Sequence, residues 1–138
     1  MNKVSPPRRR ILVVEDQTAI AMIFEEVLRE AGFEVVGPVS KLSAAIDLAR
    51  DEMLDAAVLD ITIRGGAVYP VADILKQRNV PFVLASGYEE WALPDAYRGV
   101  PRLSKPFTPE DIDRMLAQLF PSLRSPDDYG RNKPGPRI

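Results

Sequence analysis

Five side chains able to do chemistry together each stand just after a short apolar run. Glu15 and Asp16 follow Ile11-Leu12-Val13-Val14, Asp60 follows Ala56-Ala57-Val58-Leu59, Ser86 follows Phe82-Val83-Leu84-Ala85, and Lys105 closely follows Val100 to Leu103. Three carboxylates brought together repel one another and raise each other's pKa unless a cation sits among them. Mg2+ is the natural one, because it takes carboxylates, a backbone carbonyl, waters and phosphate oxygens. Phosphoryl transfer in turn needs positioning and charge neutralisation more than covalent help. In this arrangement Asp60 supplies the attacking oxygen and becomes an acyl phosphate. Lys105 meets one phosphoryl oxygen as a point charge, and the Ser86 hydroxyl hydrogen-bonds another. Taken singly, each residue has a plainer role as a loop, cap, turn or solvated surface residue; the coincidence at four strand ends favours chemistry.

These residues converge only if the apolar runs are neighbouring parallel strands. The four-residue run Ile11 to Val14 suits a strand covered on both faces. Ile20, Ile23, Phe24, Val27, Leu28 and Ala31 recur at helical spacing, with Asp16 or Thr18 to cap the helix and Gly32 to end it. A second strand is expected over Phe33 to Val39, then a helix through Leu42, Ala45, Ile46 and Ala49 capped by Ser40. The third strand ends at Asp60. Arg64-Gly65-Gly66 reads as a loop, and Val68 to Leu75 as a helix with Pro70 in its first turn. A fourth strand runs from Pro81 to Ala85. Glu89 to Gly99 holds at most one helical turn, near Glu89 to Ala92, because Pro94 and Gly99 interrupt it. Val100 to Leu103 reads as an edge strand because of Pro101. Thr108-Pro109-Glu110-Asp111 is a strong helix start before Ile112, Met115, Leu116 and Leu119. The expected fold is α/β, a doubly wound five-stranded parallel sheet of strand order 2-1-3-4-5, with helices on both faces. The expected domain is residues 10–120, between a basic disordered arm at 1–9 and a disordered tail rich in Pro and Gly at 121–138.

Composition narrows the chemistry. The chain of 138 residues has no cysteine and no histidine. That excludes disulfides, thiol nucleophiles, His-based general bases and zinc sites built on Cys or His. A phosphohistidine donor must therefore be another protein. The formal net charge is −2, but the ends are basic and residues 11–120 carry −8, which argues against nucleic acid as a main partner. No apolar run is long enough for a membrane span, and the expected location is the cytoplasm.

The set Ile11-Leu12-Val13-Val14-Glu15-Asp16, Leu59-Asp60, Ser86-Gly87 and Lys105-Pro106-Phe107 resembles the signature of two-component response-regulator receiver domains, over about residues 10 to 120. The resemblance implies a flavodoxin-like (βα)5 receiver fold with Asp60 as phosphoacceptor and Glu15, Asp16 and Asp60 as the Mg2+-binding acid pocket. It further implies the Thr62 backbone carbonyl as a Mg2+ ligand, Ser86 as the switch hydroxyl and Lys105 as the pocket lysine. The donor it implies is a sensor histidine kinase or histidine phosphotransfer protein. Two features depart from the family pattern. The loop after Asp60 is Ile63-Arg64-Gly65-Gly66, and Arg102 stands where most receivers carry an aromatic switch residue.

Pro81-Phe82-Val83-Leu84-Ala85-Ser86-Gly87-Tyr88 looks like the motif of the stand-alone FAT GUY regulators, with Leu84 for Phe and Ser86 for Thr. That likeness implies stress-response phosphorelays. The reading is a stand-alone regulator, a monomer or weak homodimer and not an enzyme in its own right, though it assists its own phosphorylation and dephosphorylation. It signals by protein–protein contact as relay intermediate, phosphate sink or switch, with Gly87 to Gly99 as the moving segment. Tyr88, Trp91 and Tyr97 either cover the core there or form a partner surface. Two other readings remain: a phosphorylation-independent pseudo-receiver, and a small Mg-dependent aspartyl-phosphate phosphatase.

Overall fold

Ile11, Leu12, Val13 and Val14 are at most 1% exposed, as a strand sandwiched between two helical layers must be. In the computed structural model, which describes residues 8–87 and 93–121, they form β1 (Arg10–Val14). There follow α1 (Thr18–Glu30), β2 (Glu34–Val39), α2 (Leu42–Asp51), β3 (Ala56–Asp60), β4 (Thr62–Ile63), β5 (Gly66–Ala67) and α3 (Tyr69–Gln77). The chain closes with β6 (Phe82–Ser86), a 3₁₀ turn (Asp95–Tyr97), β7 (Arg102–Ser104) and α4 (Pro109–Leu119).

The main sheet runs β2-β1-β3-β6-β7 with all neighbours parallel. This is the expected order 2-1-3-4-5, since β4 and β5 pair only with each other. β7 lies at the sheet edge as Pro101 suggested, two residues later than expected at its start. Alternation along the strands divides the core in two. Ile11, Val13, Val58 and Val83 pack with Phe24 and Leu28 of α1 and Ile112 and Leu116 of α4. Leu12, Val14, Leu59 and Leu84 pack on the other face with Ala45 of α2 and Val71 and Leu75 of α3. The parallel register sets Val14 beside Leu59, Asp60 beside Ala85, and Ser86 beside Ser104. The carboxyl ends therefore finish together along one edge.

Several local expectations need correction. Neither Asp16 nor Thr18 caps α1; the cap position is Gln17 and no side chain bonds there. The Gln17 N–H instead donates to Glu15 Oε2 at 3.1 Å. Ser40 does not cap α2 either. Lys41 holds that position, and the first orphan N–H, of Leu42, donates to the Arg64 carbonyl at 2.8 Å. Arg64 and Gly65 of the expected loop form the turn of a small antiparallel hairpin, β4–β5, and only Gly66 of that loop joins a strand. Among the described residues there are four α-helices, and the described part of the crossover from β6 to β7, residues 93–101, carries a 3₁₀ turn. The helical turn expected at Glu89 to Ala92 lies outside the described residues, as do most of the N-terminal arm and the C-terminal tail. Thr108 does form the expected cap: its side chain accepts from the Asp111 N–H while Asp111 accepts from the Thr108 N–H.

Candidate functional site

The sheet edge brings together every side chain singled out for chemistry. Glu15 and Asp16 come from the end of β1, Asp60 from the end of β3, Ser86 from the end of β6 and Lys105 from the residue after β7. Glu15, Asp60 and Ser86 are 3%, 7% and 8% exposed, although polar. One oxygen of each of Glu15, Asp16 and Asp60 lies within 4.8 Å of the others. The Lys105 ammonium stands 3.1 Å from Glu15 Oε1 and 3.3 Å from Asp60 Oδ2, and it donates to Glu15 Oε2 at 3.3 Å. The Lys105 backbone N–H donates to the Ser86 carbonyl at 2.8 Å. The lysine is therefore fixed at both ends, by the sheet ladder and by two acids.

Burial pushes the Asp60 carboxyl up from its ordinary value to about 7, and repulsion from Glu15 adds to the shift while Lys105 opposes it. With all groups ionised, three carboxylates and one ammonium leave two negative charges. That balance, and a donor set made only of oxygen, fits a divalent hard cation such as Mg2+. Asp16 and Asp60 open onto a cleft of about 490 Å3, lined also by Thr62, Tyr69, Ser86 and Lys105.

Sequence reasoning gave no role to four residues of this cleft: Gln17, Ile61, Tyr69 and Leu93. Gln17 had a signal in its position next to the acid pair. Tyr69 sits one residue before Pro70, where only a helix start was visible, and Leu93 lies in a stretch without periodicity. Tyr97 is core: 4% exposed and stacked on Tyr69. Arg102 is exposed on β7, opposite Leu84 in register, and does not line the cleft. Tyr88 and Trp91 lie outside the described residues.

The family model of the response regulator receiver domain matches residues 11–117. The chain belongs to this receiver-domain family. The transcriptional regulatory protein PdtaR of Mycobacterium tuberculosis is 30% identical over 108 residues, which are 75% of this chain and 53% of PdtaR. The receiver chain thus spans about half the length of the curated relatives it matches. The solution structure of SdrG from Sphingomonas melonis Fr1 is similar with a TM-score of 0.72 at 38% identity, covering 81% of this chain and 96% of that one. A BeF3-activated conformation of SdrG is similar at 39% identity with a TM-score of 0.69, covering 80% and 94%. The receiver domain of the sensor histidine kinase PA1611 from Pseudomonas aeruginosa PAO1, with magnesium coordinated in its active site cleft, has a TM-score of 0.68 at 23% identity over 82% of this chain and 98% of that one. At that identity the likeness shows the shared fold. The receiver domain is a signalling module of two-component systems, and its fold is the flavodoxin-like sheet derived above. No described helix of the receiver domain is long and apolar enough to cross a membrane.

Proposed function

We propose that Asp60 accepts a phosphoryl group from a phosphohistidine on a sensor kinase or histidine phosphotransfer protein in the cytoplasm. One observation carries this reading: a single ammonium, Lys105, held between buried Glu15 and buried Asp60 at 3.1 and 3.3 Å. The N–P bond of the donor breaks as the bond from an Asp60 carboxylate oxygen to phosphorus forms. The donor imidazole leaves with the N–P electron pair. Lys105 neutralises one phosphoryl oxygen and the Ser86 hydroxyl donates to another. Glu15, Asp16, Asp60 and the Thr62 backbone carbonyl would hold Mg2+, which supplies charge neutralisation for the incoming phosphoryl group.

The added charge is then read by another protein, so the chain acts as relay intermediate, phosphate sink or stress-response switch. Assistance by the pocket in both phosphorylation and dephosphorylation is part of the same reading, since the charges that admit the phosphoryl group also orient the water that removes it. Incubation with a labelled phosphohistidine donor tests it: wild type takes up label in the presence of Mg2+, and the Asp60→Asn variant does not. Undiminished labelling of the variant would sink the assignment.

A further inference from the structure

Receiver-type signalling needs a route from Asp60 to the surface, and the position where the family pattern places an aromatic holds exposed Arg102. A different pair of aromatics touches the cleft. Tyr69 lines it, and its ring stacks on Tyr97 with centroids 5.1 Å apart and planes at 23°. Tyr97 is held at its ring and at its hydroxyl. Its hydroxyl donates to the Asp73 carboxylate of α3 and lies 3.5 Å from the Tyr69 carbonyl. Lys76 of α3 sits 5.1 Å over its ring and donates to the Ala96 carbonyl at 3.4 Å.

The segment around Tyr97 is also closed on itself. The Tyr97 N–H donates to the Pro94 carbonyl at 2.9 Å, and Arg98 Nε donates to the Leu93 carbonyl at 3.5 Å. Residues 93–98 are therefore tied to one another by their own hydrogen bonds. Leu93, the first of them, also lines the cleft. Tyr69 and Leu93 both line the cleft wall, and both lead to one segment, Tyr69 through its stack on Tyr97 and Leu93 as its first residue. The Tyr69 ring face and the Leu93 side chain offer a phosphoryl dianion no hydrogen bond, so a filled cleft favours a wall position that admits water or polar groups.

We propose that the Tyr69–Tyr97 stack is the element that couples the Asp60 cleft to residues 93–100, in a chain whose position 102 is Arg and not an aromatic. This rests on Asp60 being the phosphoacceptor. The coupling is mechanical: displacement of Tyr69 by a tetrahedral anion at Asp60 is passed to Tyr97, and with it to the closed loop from Leu93 to Arg98. Aromatic stacking supplies the directional contact for this, beyond the area it buries.

The test is amide hydrogen exchange of the whole chain with and without MgCl2 and beryllium fluoride, with occupancy of Asp60 followed by 19F NMR. In wild type, filling the site changes the exchange of amides in 93–100. Tyr97→Phe keeps the ring and loses the bond to Asp73, and the change persists. Tyr97→Leu loses the ring; the site still fills and the change in 93–100 is lost. Tyr69→Leu breaks the same stack from the cleft side and also loses the change, which keeps the test decisive should Tyr97→Leu not fold. A wild-type response in either leucine variant with a filled site overturns the proposal. So does loss of the response in Tyr97→Phe, because the hydroxyl tether would then be the coupling element. A wild-type chain that shows no beryllium fluoride signal overturns the Asp60 reading itself, and is told apart by that spectrum.

Discussion

Lys105 Nζ stands 3.3 Å from Asp60 Oδ2 across the width of two strands, with β6 between the elements that carry them. The lysine's own N–H is bonded to the Ser86 carbonyl at 2.8 Å. The proposed phosphoacceptor, the Ser86 strand end and the ammonium are therefore linked through one sheet edge and not through flexible loops. Preorganised charge of this kind is what lowers a barrier as charge moves.

Removal of that ammonium has two opposed effects. Lys105→Met makes the cleft more negative by one charge, so it binds Mg2+ more tightly and Asp60 titrates higher than its value of about 7. The same variant loses the contact to the phosphoryl oxygen, and transfer slows by about tenfold or more. Mg2+ titration and transfer rates measured on one preparation check both. A variant with weaker Mg2+ binding and unchanged transfer contradicts this account.

The raised Asp60 value also sets a pH dependence of stability. The unfolded carboxyl titrates at 3.8 and the folded one at about 7. The folded state holds a proton that the unfolded state has lost, so this contribution is fully present below 3.8 and disappears as pH rises through about 7. Urea midpoints of the metal-free protein fall across that window. Asp60→Asn flattens the fall, and Mg2+, which binds the ionised carboxylate, offsets it in wild type. Midpoints that rise over the same window in metal-free protein contradict the assignment of this shift.

What the sequence showed of the site, and what it hid, follows from the range of the interactions involved. Glu15, Asp16, Asp60, Ser86 and Lys105 were legible because each ends or follows an apolar run, and a parallel sheet gathers such ends on one edge. The caps of α1 and α2 were misread because a neighbouring acid and a distant carbonyl, those of Glu15 and Arg64, satisfy the helix ends instead. The β4–β5 hairpin was hidden because two-residue strands are too short to alternate. The Tyr69–Tyr97 stack joins residues 28 apart, one of them in a stretch with no periodicity. Nothing local marks such a pair.

Thr108 is a point where local sequence logic and structure agree. Thr108→Ala removes one half of a reciprocal cap and costs about 1 kcal/mol. α4 carries Ile112, Met115 and Leu116 into the core, so the loss appears in the global urea midpoint. An unchanged midpoint contradicts a structural role for the cap.

Two glycines separate backbone need from open space. Gly37 has φ of +94°, and a Cβ there would stand 3.0 Å from both the Val13 carbonyl oxygen and the Val39 nitrogen. Gly37→Ala therefore costs about 1–3 kcal/mol. Gly99 has nothing within 4 Å of a built Cβ, and Gly99→Ala changes stability by no more than about 0.5 kcal/mol. Thermal melts of the two variants side by side check the contrast.

The central claim is chemical, that the phosphoryl group sits on the Asp60 carboxylate. Borohydride reduction of the phosphorylated chain followed by peptide mass spectrometry tests it most directly, because an acyl phosphate is reduced and a phosphate ester is not. The account predicts homoserine at position 60 and at no other aspartate. Phosphate retained on a hydroxyl after reduction, or homoserine at another position with Asp60 intact, would contradict it.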